Sequence, residues 1–424
     1  MSEPLLAPYN GIPKLVENES ELEKALTQLL NGSGPIAIDA ERASGYRYSA
    51  RAYLIQIKRT DGGLHLIDPI AVGESDLWGK FSEDVGEEEW IIHASTQDLA
   101  CLREVGLNPK KIFDTELGGR IASCERVGLG PLTEELLDIS LAKEHSAVDW
   151  SLRPLREEWL SYAALDVELL VELRDAVAGI LLAQGKLNWA MEDFAAILSA
   201  PPPPPRVDPW RRTSGMHKVR DRLTLGVIRA LWLARDSYAR EIDLAPGRVF
   251  NDETLMEVIN KKPNGLGDFR KIISRRTRVQ NAPVESWYET YLAALAAPLS
   301  EQPELRIPSN TLPPVKIWQT RNPLGYARIT HARAIVHELS EDLVMAPENL
   351  ISPEAVRRVC WSEPPASADQ YLPYVEATLA EYGARKWQIR AISSGLAGIL
   401  NVTEPIVTPD AEGTESVNEG VESD

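Results

Sequence analysis

The sequence predicts an α/β domain on a mixed five-stranded sheet, followed by two small all-α domains and an acidic tail. Three observations carry this. Short apolar runs at residues 36–38, 54–57, 64–68, 90–94 and 112–114 are bounded by turn or polar residues, as buried strands are. From residue 157 the apolar spacing changes to the helical period. At 201–205 five consecutive prolines form an extended, stiff linker, and the charge changes sign beyond it. At 424 residues the chain is too long for one ordinary domain, and 44% hydrophobic content supports real cores.

The elements follow in order. Ser20 can cap a helix over residues 21–30, with Glu23 three positions on completing a capping box. Residues 32–35, Gly-Ser-Gly-Pro, turn into the first strand. Asp39 and Glu41 come directly after that strand's apolar run, and side chains two apart on a strand share a face. Two carboxylates on one face resist burial unless water or a cation compensates them. The second strand follows an Arg/Tyr-rich loop, and residues 61–63, Asp-Gly-Gly, make the hairpin to the third. After the fourth strand, Asp98 opens a helix over residues 98–105 that Gly106 ends; an acid there suits the helix dipole. His93 reads as a satisfied strand-end histidine, and Asp114 as a cap of the helix it precedes.

A short helix is expected over residues 132–141 and a loop over 143–154. The helix at 157–182 carries one wide apolar stripe through Leu160, Ala164, Val167, Leu170, Val171 and Leu173. Tyr162 and Asp166, four apart, share another face, so hydroxyl and carboxylate point to one place. Asp39, Glu41, Asp98 and Asp166 without His or Cys partners favour Mg2+ or Mn2+ over zinc.

Formal net charge is −18, which argues against indiscriminate nucleic-acid binding. Seven acidic residues between 404 and 424 stand without Lys or Arg, and that tail over 403–424 reads as disordered; the rest carries −11. Cys101, Cys124 and Cys360 show no paired spacing, so a disulfide framework or zinc site is not expected, and a reducing cytoplasm fits. No signal peptide and no membrane-length apolar run are expected.

The three acidic elements, in this order, resemble the DEDD superfamily of 3′–5′ exonucleases in its tyrosine-bearing branch, and within it the ribonuclease D family. The phrases LIQI (54–57), IFDTEL (112–117), WSLRPL (150–155) and YAALD (162–166) carry the resemblance, which covers the first half strongly and part of the second half weakly. It implies a ribonuclease H-like sheet whose first three strands form the antiparallel side. It implies Asp39, Glu41, Asp98 and Asp166 as metal ligands, with Asp39 bridging two ions. Two ions about 3.5–4 Å apart would clamp an in-line attack on a phosphodiester. Tyr162 would orient the attacking water, since an ordinary Tyr pKa of ~10 is too high for a general base at neutrality. Trp150 and Arg153 match the family as substrate-binding positions; Arg153 could equally pair with Asp149. Products would be nucleoside 5′-monophosphates released from the 3′ end of RNA, transfer RNA precursors and other structured RNAs above all. A DNA exonuclease and a non-catalytic RNA-binding scaffold are the competing readings.

The chain after the proline run reads as helical. Residues 206–291 hold seventeen Lys/Arg against eleven Asp/Glu, a net of +6 in an acidic protein. Helices are expected at 219–240 and 252–260, with Arg235, Asp236 and Arg240 flanking the turn at 243–246. This segment, 206–296, resembles an HRDC domain, which implies nucleic-acid binding. Residues 297–314 form a second proline-bearing linker. Residues 315–402 are again helical, and the family places a second HRDC-like module there. Trp361 and Trp387 read as core.

Overall fold

The computed structural model describes residues 4–141, 148–275, 277, 279–307 and 311–406. The expected acidic tail therefore lies almost wholly outside the described residues, as do positions 142–147 of the expected loop. The chain forms two compact units, residues 1–309 and 310–424.

The sheet of the first unit has six strands rather than five: β1 (Leu15–Val16), β2 (Ser33–Arg42), β3 (Ala52–Thr60), β4 (Gly63–Ile67), β5 (Glu89–Ile92) and β6 (Lys111–Asp114). Their order is β1-β4-β3-β2-β5-β6. The strand missed by sequence, β1, is two residues long and pairs parallel to β4, too short to show an alternating pattern. β2 runs antiparallel to β3 and β3 to β4, while β5 joins β2 and β6 joins β5 in parallel. Ile36, Ile38, Leu54, Ile55, Ile57 and Ile91 are fully buried along the sheet. Each such aliphatic side chain contributes ~1.5–3 kcal/mol relative to exposure. The β2–β3 pairing shifts register between Glu41 and Arg42. Such irregularities twist a strand locally and re-aim its side chains.

The first helix is Glu19–Leu30, capped by Asn18 rather than Ser20; Asn18 Oδ1 accepts from Glu21 N at 3.0 Å. Asn18 has the extended backbone a cap needs, and Ser20 falls inside the first turn. The helix expected over 132–141 runs Leu129–Leu137 and stops at Asp138 in the left-handed region. The long helix expected over 157–182 is two, Glu157–Glu168 and Leu170–Ala183, joined at Leu169 (φ −111°). At this joint the Lys58 ammonium donates to the Glu168 carbonyl and pairs with the Glu168 carboxylate at 3.2 Å. That carbonyl is thus tied to the sheet at the break. The apolar stripe continues through Ala163, Val167, Leu170, Leu173 and Val177, so periodicity alone conceals the break.

Residues 201–205 are exposed and without regular structure. Beyond them, helices Arg222–Glu241, Asp252–Lys261, Leu266–Ser274 and Val284–Ala296 enclose Ile228, Leu231, Phe250, Leu255, Phe269 and Trp287. The second unit has its own core, in which Trp318, Val359, Leu379, Trp387 and Leu396 are buried among helices Pro323–Asp342, Pro353–Trp361, Tyr371–Glu381 and Lys386–Gly398. Trp361 is half-buried with its ring centroid 4.8 Å from that of Trp318. Among the described residues no helix is long and apolar enough to cross a membrane.

Candidate active site

Four carboxylates from three separated stretches meet in one cleft of about 390 Å3. Asp39 and Glu41 come from β2, in register with Gln56 and Leu54 of β3. Asp166 comes from helix Glu157–Glu168, with Tyr162 one turn earlier on the same side of the cleft. One carboxylate oxygen each from Asp39, Glu41 and Asp166 lies within 4.8 Å of the others.

Asp98 reaches the cleft by a different route. After β5 the chain turns through Ala94 in the left-handed region and a short 3-10 turn, Ser95–Gln97. Asp114, at the end of β6, holds this turn: it accepts from Ala94 N at 3.2 Å, Ser95 N at 2.8 Å and Ser95 Oγ at 2.7 Å. It also caps the next helix through Leu117 N at 3.0 Å, as expected. Helix Leu99–Val105 then starts one residue later than expected, and Asp98 makes no side-chain capping bond to it. The Asp98 side chain is hydrogen-bonded to Asp39 and lies 3.4 Å from Arg42 Nε. Cleft geometry rather than helix capping therefore accounts for its position. His93 bonds Thr115 Oγ1 at 2.9 Å, a satisfied histidine at the cleft margin.

The electrostatics follow from crowding. Burial raises the Asp39 carboxyl above the usual carboxylate range. Burial, then the charges of Asp39, Asp166 and Asp98, push Glu41 well up. Burial, then Asp39 and Asp98, do the same to Asp166. Asp98 is pushed to about 8 by burial and by Asp39. Arg42 offsets this crowding only in part, and a hard divalent cation with oxygen ligands supplies the rest of the counter-charge. The donor set fits Mg2+ or Mn2+: it is all oxygen, and the one histidine beside it is already bonded to Thr115. Tyr162 is raised by burial and by Asp166, Glu41 and Asp39, so its hydroxyl stays protonated at neutral pH.

The two expected substrate-binding residues are elsewhere engaged. Trp150 is fully buried, edge-on to Trp159 at 5.7 Å, inside the core that carries the Tyr162 helix. A side chain without exposed surface cannot touch RNA. Arg153 pairs neither with Asp149 nor toward the cleft. Its guanidinium is bidentate on the fully buried Asp68, with Nη2 to Oδ1 at 2.8 Å, and donates to the carbonyls of Tyr53, Trp150 and Leu152. A buried carboxylate brought close by the fold outcompetes a solvent-facing role.

Sequence reading passed over two features. Arg42 lines the cleft directly after Glu41, and its signal was simply its place in the Asp-x-Glu-Arg string. The Arg/Tyr-rich loop between β2 and β3 is docked on the helical segment after the proline run. Tyr48 Oη donates to Asp236 at 3.1 Å, and Asp243 accepts from Ser49 N at 2.8 Å and Tyr53 Oη at 3.3 Å. Ala245 N bonds the Tyr46 carbonyl at 3.0 Å, while Arg248 bonds the Gly45 carbonyl at 2.8 Å and stacks on Tyr46 at 4.0 Å. Ser44, at the start of this loop, lines the cleft.

Family models match the chain in three places: a 3′-5′ exonuclease over residues 13–181, an HRDC domain over 224–286, and a 3′ to 5′ exonuclease C-terminal domain over 311–400. Similar curated proteins are ribonuclease D of Bartonella henselae, 28% identical over 63% of this chain and 66% of that protein, and ribonuclease D of Jannaschia sp., 28% identical over 75% and 81%. Ribonuclease D of Pseudomonas paraeruginosa is 29% identical over 74% of this chain and 81% of its own length. The chain thus spans about two thirds of the Bartonella protein and more of the other two. Among solved structures, a protein from Bifidobacterium adolescentis matches at TM-score 0.85 and 35% identity, over 94% of this chain and 100% of that one. Escherichia coli RNase D, an exoribonuclease involved in structured RNA processing, shares the fold at TM-score 0.61 and 20% identity, over 91% and 98%.

Proposed function

The chain belongs to the ribonuclease D family of 3′–5′ exoribonucleases, and from that premise we propose that it removes nucleoside 5′-monophosphates from RNA 3′ ends with two divalent ions, Mg2+ or Mn2+. Transfer RNA precursors are the proposed substrates and the cytoplasm the proposed location. The observation that carries this reading is the meeting of Asp39, Glu41, Asp98 and Asp166 with Tyr162 in one cleft. Asp39, Glu41 and Asp166 would hold one ion, and Asp39 with Asp98 the second. Bound there, the ions would supply a more acidic water and charge stabilisation at the departing 3′ oxygen. Tyr162 hydrogen-bonds and orients the attacking water through a hydroxyl that stays protonated.

The helical segment after the proline run would contact RNA farther from the 3′ end. A second cleft, of about 320 Å3, is lined there by Lys261, Lys262, Lys271 and Arg275. Ion pairs of Lys261 with Glu257 and Lys271 with Asp268 temper its charge. Contacts of this kind release counterions and steepen the salt dependence of binding.

The test is a 3′-labelled transfer RNA precursor incubated with the full chain, with and without Mg2+ or Mn2+, beside a DNA strand of the same sequence. Labelled mononucleotides released from RNA only with metal are expected. Metal-independent release would end the two-ion reading, and faster hydrolysis of the DNA strand would end the RNA assignment.

A further inference from the structure

Arg42 has no part in the chemistry described so far, yet it stands inside the cleft. It follows Glu41 at the point where β2 and β3 slip register. Its Nε lies 3.4 Å from Asp98 Oδ1 and its Nη2 3.4 Å from Gln97 Oε1. Charge-assisted hydrogen bonds normally close to about 2.7–2.9 Å, so both partners hold it loosely. The side chain is about a quarter exposed (26%), against 7% for its partner Asp98. The contrast with Arg153, bidentate on Asp68 with an Nη2–Oδ1 bond of 2.8 Å, is direct.

Among the described residues Arg42 is the one Lys or Arg lining the cleft. Its charge lowers the carboxyls of Asp39, Glu41 and Asp98 against the larger opposing effect of burial. It therefore occupies the electrostatic role that a cation at Asp98 would fill. An RNA 3′ end brings a phosphodiester anion into the same space, where the four carboxylates repel it. A loosely held, partly exposed guanidinium at the rim is a ready partner for a non-bridging phosphate oxygen, which it can grip with paired N–H donors.

We infer that Arg42 is a placeholder cation: it holds Asp98 in the metal-free cleft, yields that carboxylate when a divalent ion arrives, and then grips the phosphate at the RNA 3′ end. The inference rests on the metal-dependent exonuclease reading of this cleft. It assigns Arg42 two roles that oppose each other on mutation. A competitor for Asp98 weakens metal binding, so removing it strengthens metal binding. A phosphate grip accelerates cleavage, so removing it slows cleavage. A merely structural arginine would not move the two in opposite directions.

The experiment compares the full chain as wild type, Arg42→Gln and Arg42→Lys. Mn2+ binding without RNA is measured by calorimetry, and single-turnover cleavage of a short unstructured oligoribonucleotide is measured at saturating Mn2+. Thermal melting checks that each variant is folded. For Arg42→Gln, Mn2+ affinity should rise on the order of tenfold, the smaller end of what a nearby opposite charge does to a carboxylate. Cleavage should fall on the order of 10²-fold, as for other lost donors to a reacting oxyanion. Arg42→Lys, which keeps the charge without the forked geometry, should be intermediate in both; it carries the test if Arg42→Gln does not fold. Unchanged or weaker Mn2+ binding, or unchanged cleavage, in the variants overturns the inference. A wild type that neither binds Mn2+ nor cleaves RNA overturns instead the reading of the cleft on which it rests.

Discussion

Two sets of carboxylates in the first unit are treated by the fold in opposite ways. Asp68 and Asp114 are almost completely buried, and each oxygen has its donors. Asp68 takes Arg153 on both oxygens and the amides of Ile70 and Ala71 on one. Asp114 takes three amides and the Ser95 hydroxyl. The cleft set, Asp39, Glu41, Asp98 and Asp166, is instead packed against itself, with Arg42 as its loosely held cation. Asp39, Glu41 and Asp166 are half-buried, yet Asp98 in the same cleft is buried like Asp68 and Asp114, so it is the source of compensation that separates structural from functional carboxylates here. Where the fold supplies the donors, the group serves the fold. Where the fold withholds them, a ligand must.

The largest expected effect breaks the cleft side of this comparison. Asp39→Asn removes a negative charge from the centre of the cluster and should abolish metal-dependent cleavage. The metal-free melting temperature should hold or rise, because carboxylate repulsion is relieved. A near wild-type rate in Mg2+ would show that the cluster does not hold the catalytic ions. Next, Tyr162→Phe deletes only a hydroxyl, and turnover should drop ~10²–10⁴-fold with little change in RNA affinity. Unchanged turnover would return Tyr162 to packing against Trp159 and Trp150.

The structural side is tested by Arg153→Ala. Removing one partner of a buried pair costs ~3–5 kcal/mol. Arg153 is itself 30% exposed and Asp68 keeps its amide donors, so about 2–3 kcal/mol of unfolding free energy is expected in urea denaturation. Full stability with weakened RNA binding would reinstate Arg153 as a substrate contact.

Acid–base behaviour sharpens the contrast. The cleft carboxyls are raised in the folded state, so in metal-free protein their stabilising contribution is complete below the unfolded carboxylate range. It is lost as pH climbs toward about 8, the position of Asp98. Melting temperature without metal should therefore decline over that interval, and saturating Mn2+ should flatten the decline. A metal-free profile that rises with pH across the same window would contradict the crowding. The smallest effect concerns the docked loop. Asp243→Ala removes the acceptor for Ser49 N and Tyr53 Oη. Cleavage of a short oligoribonucleotide should fall roughly tenfold while stability drops by about 1 kcal/mol. A fragment ending at Ala200 loses the same partners and should be impaired on short RNA too. Wild-type rates in the fragment would show that the loop holds its shape alone.

The sequence alone determined a good deal, for reasons of local chemistry. Short bounded apolar runs placed five of the six strands, and period-3.6 apolar spacing the main helices. Spacing of two on a strand and four on a helix aligned Asp39 with Glu41 and Tyr162 with Asp166, and an all-carboxylate set pointed to a hard cation. Asp114 as a cap and His93 as a satisfied side chain were also legible, because their partners lie near strand ends. What only the tertiary structure decided depends on partners distant in sequence. Arg153 could be read as a phosphate contact or a partner of Asp149 until Asp68, 85 residues away, was folded against it. Trp150 matched a substrate-binding position until the Tyr162 helix was found packed over it. Lys58 tied down the helix break at Glu168 from the sheet, 110 residues away. The Arg/Tyr-rich β2–β3 loop gave no sign of its partner Asp243, more than 190 residues on. Local spacing dictates which way a side chain points along its own element, whereas long-range folding dictates what it meets there.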